Sequence, residues 1–302
     1  MPKDSYLKAA AILFILLMGC GRTNPVSGVL SDEEAVKLLI SSSGYADCSD
    51  LADDGLTGFP LLETKSDSFP GDIYFLRRIE SHWSRTALGF DSGRTTAWAE
   101  VQIGSRGRLV LDNDRNESCD TLWRPVDDQG RRHLSFRKSG GRWRIYGASP
   151  LAVQTASPAV PVLIDSLVVL GSTGLRTRVA FRWEDQARVW AREEMPAFSP
   201  GAEVTLTVWG GPATAGDSCW AFLHRREWQA GLMSHLRLPM VRQPDGAFSL
   251  GWTAETGEGP VVRQVAVALM LGSTLFGDST GEYSACLWTV PYIVTDSDSL
   301  PK

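Results

Sequence analysis

The sequence lacks the short motifs that would identify a common reaction. It contains no HExxH, no P-loop, no GxSxG and no CxxC motif, so metalloprotease, nucleotide-binding, serine-hydrolase and thioredoxin-like functions have no motif to support them. The histidines are few and scattered, at positions 82, 133, 224 and 235. We therefore predict no catalytic residue, no cofactor and no metal site, and leave open an enzyme whose site no motif reveals.

Excess positive charge is also missing. The chain has 30 Lys and Arg against 35 Asp and Glu, a net charge of −5. Because proteins that bind nucleic acid normally carry a basic surface, we expect no nucleic-acid partner.

A long apolar run is missing too. The longest one near the start covers only residues 9–18, about half of the roughly 20 residues that a membrane-spanning helix needs. Lys3 and Lys8 precede it and Gly19 follows, a pattern typical of a removable export signal. We predict a signal peptide at residues 1–19.

The end of that signal, Leu17-Met18-Gly19-Cys20, resembles the lipobox of bacterial lipoproteins. The resemblance implies cleavage before Cys20 and lipid, including palmitate, on Cys20. Several acyl chains anchor a protein stably to a membrane. The expected location is the cell envelope, at the outer membrane facing the periplasm or at the cell surface in a Gram-negative host. Residues 20–30 would form a short tether.

Four cysteines remain, an even number in a chain predicted to be exported. Disulfides are plausible under those conditions, and four cysteines allow three pairings. Pairing within each of the domains proposed below would join Cys48 to Cys119 and Cys219 to Cys286.

The first predicted domain combines one helix with a sheet. Ser31 and Glu34 form a capping-box pattern that predicts a helix, and alternating runs then predict strands at 73–79, 95–103, 108–112, 121–125, 133–137 and 142–146. Gly140-Gly141 predicts a hairpin turn. This order of a helix and antiparallel strands, an α+β domain, resembles cystatin-like and NTF2-like exported domains. The Asp112-x-Asp114-x-Asn116 pattern lacks the later residues of a calcium loop and indicates a solvated turn.

The second predicted domain is all-β. Strand patterns recur at 162–170, 176–183, 203–209, 219–224, 235–238, 247–253, 261–271 and 283–294, which predicts a β-sandwich. The run from Asp278 to Cys286, with Tyr283, resembles the tyrosine corner of immunoglobulin-like domains. One extra residue separates Tyr283 from Cys286, so a bridge between adjacent strands of one sheet fits better than an inter-sheet disulfide. The predicted divisions are the α+β domain at 31–148, a Pro-rich linker at 149–161, the immunoglobulin-like sandwich at 162–295 and a polar tail at 296–302.

Charge is divided within the first domain. Residues 20–72 have ten acids and three bases, and residues 73–150 have nine acids and fourteen bases. This is either a bipolar solvated surface or a basic hairpin face that binds an anionic envelope component. The basic side chains concerned are Arg131, Arg132, Arg137, Lys138, Arg142 and Arg144. Trp228 is the tryptophan we expect to be exposed.

These observations favour a non-catalytic, lipid-anchored binding or scaffold protein of the cell envelope with a protein partner. The alternative is a module that binds carbohydrate or an anionic polymer through Arg137, Arg142, Arg144 or Trp228.

Overall fold

The computed structural model describes residues 30–43, 69, 74–112, 122–229, 232–255 and 261–296. Their fold is mostly antiparallel β-sheet with one long helix, which confirms the β-rich fold expected from the sequence. Several predicted features lie outside these residues: the signal, Cys20, Cys48, Cys119 and most of the Asp112 loop.

The predicted N-terminal helix is present as α1, Asp32–Ser42. Ser31 Oγ accepts from the amide of Glu34, and the Glu34 carboxylate accepts from the amide of Ser31, so the capping box is formed. Asp32 fixes the helix to the sheet, since its Oδ1 accepts from Lys138 Nζ at 2.6 Å and from Trp143 Nε1 at 2.8 Å. These donors lower the pKa of Asp32, Lys138 having the largest effect.

Sixteen strands follow within the described residues. The first five are β1 Tyr74–Phe90, β2 Thr96–Asp112, β3 Leu122–Ser139, β4 Arg142–Ala148 and β5 Leu151–Thr155. The next six are β6 Val162–Gly171, β7 Arg178–Arg182, β8 Trp190–Ala191, β9 Ala197–Phe198, β10 Glu203–Pro212 and β11 Cys219–Gln229. The last five are β12 Leu232–Pro239, β13 Val241–Arg242, β14 Phe248–Thr253, β15 Val261–Leu271 and β16 Ala285–Val294. A short helix, α2 (Gly272–Phe276), joins β15 to the segment before β16.

The strands form two sheets. The large sheet has the order β1-β2-β3-β5-β16-β15-β11-β12, with β4 beside β3 and β8, and β9 beside β16. The small sheet has the order β13-β14-β10-β6-β7.

The large sheet corrects the predicted linker. Residues 151–155 form β5, which pairs with β3 on one side and β16 on the other. The prolines and the absence of charge suggested a linker, but non-local pairing places this short apolar segment inside a sheet.

The small sheet packs face to face on part of the large one. Their shared core contains Leu167 and Leu206 from the small sheet, and Val267, Leu269 and Trp288 from the large sheet. The small sheet covers the face of β11, β15 and β16 that carries these side chains. Within the described residues, no second sheet lies over the corresponding face of β1–β4.

The large sheet is strongly curled. Arg237 on β12 donates from Nη2 to the carbonyl oxygen of Phe75 on β1 at 2.5 Å, so the two ends of the strand order meet. The concave side of the large sheet, which we call the inner face, thereby closes around a core that includes Phe75, Leu109, Phe222 and Met270.

The predicted Cys219–Cys286 bridge is wrong, because both are free thiols. Cys219 pairs with Leu271 and Cys286 with Leu269, so β15 lies between the two cysteines. Two strand spacings are about 9.5 Å, beyond the reach of a disulfide. Burial raises the pKa of Cys286 to about 12.

We expect Cys219 and Cys286 to react with iodoacetamide only after unfolding, because both side chains are buried. Alkylation with and without urea, in the absence of reductant, followed by peptide mass spectrometry, measures this. A bridged pair would stay unmodified in urea until reductant is added.

Candidate outer-face binding site

The candidate site is the uncovered face of β1–β4, which we call the outer face. Side chains of a strand alternate between the two faces of its sheet. Ala97, Ala99 and Val101 point inward against α1 and the neighbouring core. The intervening side chains, among them Thr96 and Trp98, therefore lie on the outer face.

Three exposed tryptophans lie on the outer face. Trp83 on β1, Trp98 on β2 and Trp123 on β3 are 40%, 57% and 60% exposed. Trp83 is opposite Gly104 and Trp123 is opposite Val110. Along β2 the three indoles thus fall at positions 98, 104 and 110, so neighbouring indoles are about 20 Å apart.

Two of these indoles lie flat on glycine. A Cβ atom at Gly89 would overlap the ring of Trp98, and one at Gly104 would overlap the ring of Trp83. An aromatic ring that covers a strand glycine shields the backbone beneath it. Its other side is left as a flat apolar surface on which the C–H groups of a sugar ring can pack.

The predicted basic hairpin borders this surface. Gly140 and Gly141 both have positive φ angles, 57° and 77°, which confirms the predicted turn between β3 and β4. Arg137 lies directly opposite Arg144, and the guanidinium of Arg137 stacks on Tyr146 with Cζ 3.4 Å from the ring centroid.

The hairpin arginines are available to an anion. Arg137, Arg142 and Arg144 are exposed, and none forms an ion pair with any residue in the described ranges. Like charges directly opposite each other on a sheet are unfavourable. An anion bound between Arg137 and Arg144 would relieve that repulsion.

Further arginines lie next to the indoles. Arg85 is 5.4 Å from the ring centroid of Trp83, and Arg108 is 5.2 Å from that of Trp123. Three outer-face arginines have carboxylate partners on the same face: Arg106 with Asp127, Arg108 with Glu80 and Arg131 with Glu100. The other arginines give the outer face a net positive charge.

Not every residue of the predicted basic face lies on it. Arg132 is buried on the inner face, where Nε donates to the carbonyl oxygen of Ser149 at 3.1 Å. Lys138 points toward α1 and pairs with Asp32. Alternation along β3 explains both, since residues 132 and 138 have opposite parity to Arg131 and Arg137.

The exposure of these three tryptophans was not predicted from the sequence. The tryptophan predicted to be exposed was Trp228, which lies on β11 opposite Met233; its side chain is outside the described part of the structure. A signal existed for Trp98, because it stands between Ala97 and Ala99, two small residues that alternate with it.

The other sequence candidates do not form a second site. A register shift between Ile79 and Ser81 separates Glu80 from His82. Glu80 pairs with Arg108 at 3.1 Å on the outer face, whereas His82 Nδ1 lies 3.1 Å from Ser105 Oγ. The Tyr283 hydroxyl, at the position of the predicted tyrosine corner, donates to Asp128 at 3.3 Å. In the described ranges, no three His, Cys, Asp or Glu side chains come together as metal ligands.

Comparison with known proteins adds no relative. No protein-family model, curated protein or solved structure matches this chain. No helix in the described ranges is both long enough and apolar enough to cross a membrane. The outer face is therefore the feature on which a function can be based.

Proposed function

We propose that this chain is a lipid-anchored cell-envelope protein that binds an anionic polysaccharide through its outer face. The observation that carries the proposal is the combination of exposed, sheet-supported indoles with hairpin arginines that form no ion pair with a carboxylate of the described ranges. Aromatic rings pack against the apolar faces of sugar rings. The guanidinium groups form charge-assisted hydrogen bonds with the carboxylate or sulfate groups of an acidic glycan.

A repeating ligand fits this face better than a small molecule does. The indoles are spread over about 40 Å of strand, from position 98 to position 110 of β2. Trp98 and Trp123, at the two ends of this span, lie on the open sheet. A polymer of several sugar units can reach more than one of them. Several weak contacts made with one polymer chain also give a higher overall affinity than a single contact gives.

The anchor and the finer fold are part of the same proposal. Lipid on Cys20 would hold the outer face within a short tether of the membrane. We also propose that the sandwich at 162–295 is immunoglobulin-like, supported by its two packed antiparallel sheets.

The test is retention on immobilised polygalacturonate and heparin. We expect the Arg137→Ser/Arg142→Ser/Arg144→Ser variant to bind with roughly 100-fold lower affinity, because each arginine beside an anionic surface contributes about 1 kcal/mol. The loss should shrink as salt is added, because salt screens exposed charges. Full-length protein is used throughout, with neutral dextran as the uncharged matrix.

The matched control removes three exposed arginines from the small sheet instead. The set is Arg178→Ser, Arg182→Ser and Arg242→Ser. Equal losses of affinity in the two triple variants would show that net charge alone explains the binding, and would reject the outer face as the site. Trp98→Ala supplies a second arm: it should weaken binding at high salt as well, since stacking is not screened.

A protein partner is the competing outcome. Retention of neither anionic matrix, together with one envelope protein cross-linked to the native form and absent from the Cys20→Ser form, would replace the polysaccharide with a protein.

A further inference from the structure

A groove crosses the outer face at the level of its middle indole, Trp83. It has a volume of about 250 Å³, and its lining includes Trp83, Gln102, Gln129, Arg131, Gln154 and Gln186. These residues come from β1, β2, β3, β5 and the turn that follows β7. The groove runs across the strands from Trp83 to the wall that Gln186 forms.

The lining is rich in neutral hydrogen-bonding groups. Four of its side chains are glutamines, and each primary amide offers two donors and one acceptor oxygen. Gln186 Nε2 is buried and has no hydrogen-bond partner in the described part of the structure. A buried donor without a partner is unfavourable, and a ligand hydroxyl in the groove would satisfy it after a small rotation of the amide.

The charges in the groove already balance each other. Arg131 Nε lies 3.4 Å from the Glu100 carboxylate, and Gln102 donates to the same carboxylate at 2.8 Å. The hydrogen bond from Gln102, and then the charge of Arg131, hold the pKa of Glu100 below its usual value. A carboxylate that enters the groove would therefore gain little from Arg131, because Glu100 already compensates the charge of Arg131.

The dimensions limit the ligand to one ring. Pockets for drug-sized ligands measure about 300–1,000 Å³, and this groove is smaller. Trp83 supplies an aromatic wall, and its indole is also one of the three on the outer face. The groove therefore lies within the outer face and extends across its strands to β5.

We propose that the groove binds one uncharged sugar ring, the terminal unit or a side branch of the polysaccharide held on the outer face. Trp83 stacks on the ring, and the glutamine amides hydrogen-bond its hydroxyls. The place of this ring on a longer chain rests on the proposed function, whereas the binding of the ring itself does not.

The experiment is saturation-transfer NMR on the full-length protein with the methyl glycosides of glucose, galactose, mannose and N-acetylglucosamine, and with glucuronate. We expect at least one neutral glycoside to bind more tightly than glucuronate. Gln186→Ala and Gln129→Ala should each lower its affinity about fivefold, the effect of one net hydrogen bond. Gln243→Ala, in a turn of the small sheet, is the matched control and should bind like wild type.

Thermal melts confirm that each variant is folded before binding is compared. Absence of binding by all four neutral glycosides, unchanged affinity in Gln186→Ala, or tighter binding of glucuronate would each overturn the proposal. If the anionic matrices still retain the protein in those cases, the groove assignment fails and the outer-face function stands. If a neutral glycoside binds but neither matrix retains the protein, the sugar's place on an acidic chain is overturned.

Discussion

Replacing Asp128 with Asn lowers the free energy of unfolding by about 3–5 kcal/mol, the range for removing one partner of a buried ion pair. Arg77 Nη2 lies 2.5 Å from Asp128 Oδ2, and the two side chains are only 3% and 2% exposed. The Tyr283 hydroxyl and the Thr155 hydroxyl also donate to this carboxylate, each at 3.3 Å. The substitution keeps the shape of the side chain but removes the negative charge of Asp128 from beside the buried guanidinium.

Burial raises the pKa of Asp128, and this effect is larger than the opposing effect of Arg77. Desolvation is thus a large part of the energetics of this site, as expected for ions taken out of water. Arg77 and Asp128 come from β1 and β3, whereas Thr155 and Tyr283 come from β5 and the segment before β16. Asp128 therefore connects β1 and β3 with β5 and the segment before β16.

Asp127→Asn is the matched control for this measurement. Asp127 is the adjacent residue with the same charge, but its side chain is 49% exposed and its distance from Arg106 is 3.4 Å. Exposed pairs contribute about 0–1 kcal/mol. Urea unfolding of both variants gives the comparison, and equal losses would show that burial of the Arg77 pair does not determine the effect.

Replacing Trp288 with Ala also lowers the free energy of unfolding by about 3–5 kcal/mol, the range for truncating a buried tryptophan. Trp288 is fully buried in the core between the two sheets. Its strand neighbours on either side are Val267 and Ala152, so the cavity would open beside β5 and β15. The core between the two sheets would lose its largest fully buried side chain.

Trp98→Ala is the comparison for Trp288→Ala, since it deletes the same side chain from a site that is 57% exposed. We expect it to change stability by less than about 1 kcal/mol, and to act on glycan binding instead. Intrinsic fluorescence during urea unfolding measures both variants. A Trp98→Ala variant that is as unstable as Trp288→Ala would show that its indole is mainly a structural cover for Gly89.

Local patterns were enough to predict many of the elements. The strands β6, β10 and β15 lie within about three residues of their predicted bounds, because each alternates apolar and polar side chains or is apolar throughout. The strands β2 and β3 were predicted in two pieces each. Glycines and charged residues interrupt their patterns. Pairing keeps both strands continuous, because β2 pairs with β1 and β3 along its two edges, and β3 pairs with β2 over residues 122–137.

Non-local contacts explain what the sequence did not predict. Arg137, Arg142 and Arg144 could be placed together because a hairpin is a local structure. Which face of the hairpin stays uncovered depends on where the small sheet packs, so the exposure of Trp83 and Trp123 does not follow from their neighbours in sequence. The groove has the same origin, because its glutamines meet only after four elements have assembled.

The position of β5 in the sheet also determines the order in which the strands can assemble during folding. Its edge pairs with Cys286–Thr289 of β16, about 130 residues later and in the last described strand. During synthesis the edge of β5 stays open to other molecules until β16 has been made. Contacts so distant in sequence slow folding, and a chain interrupted before β16 would be prone to aggregate.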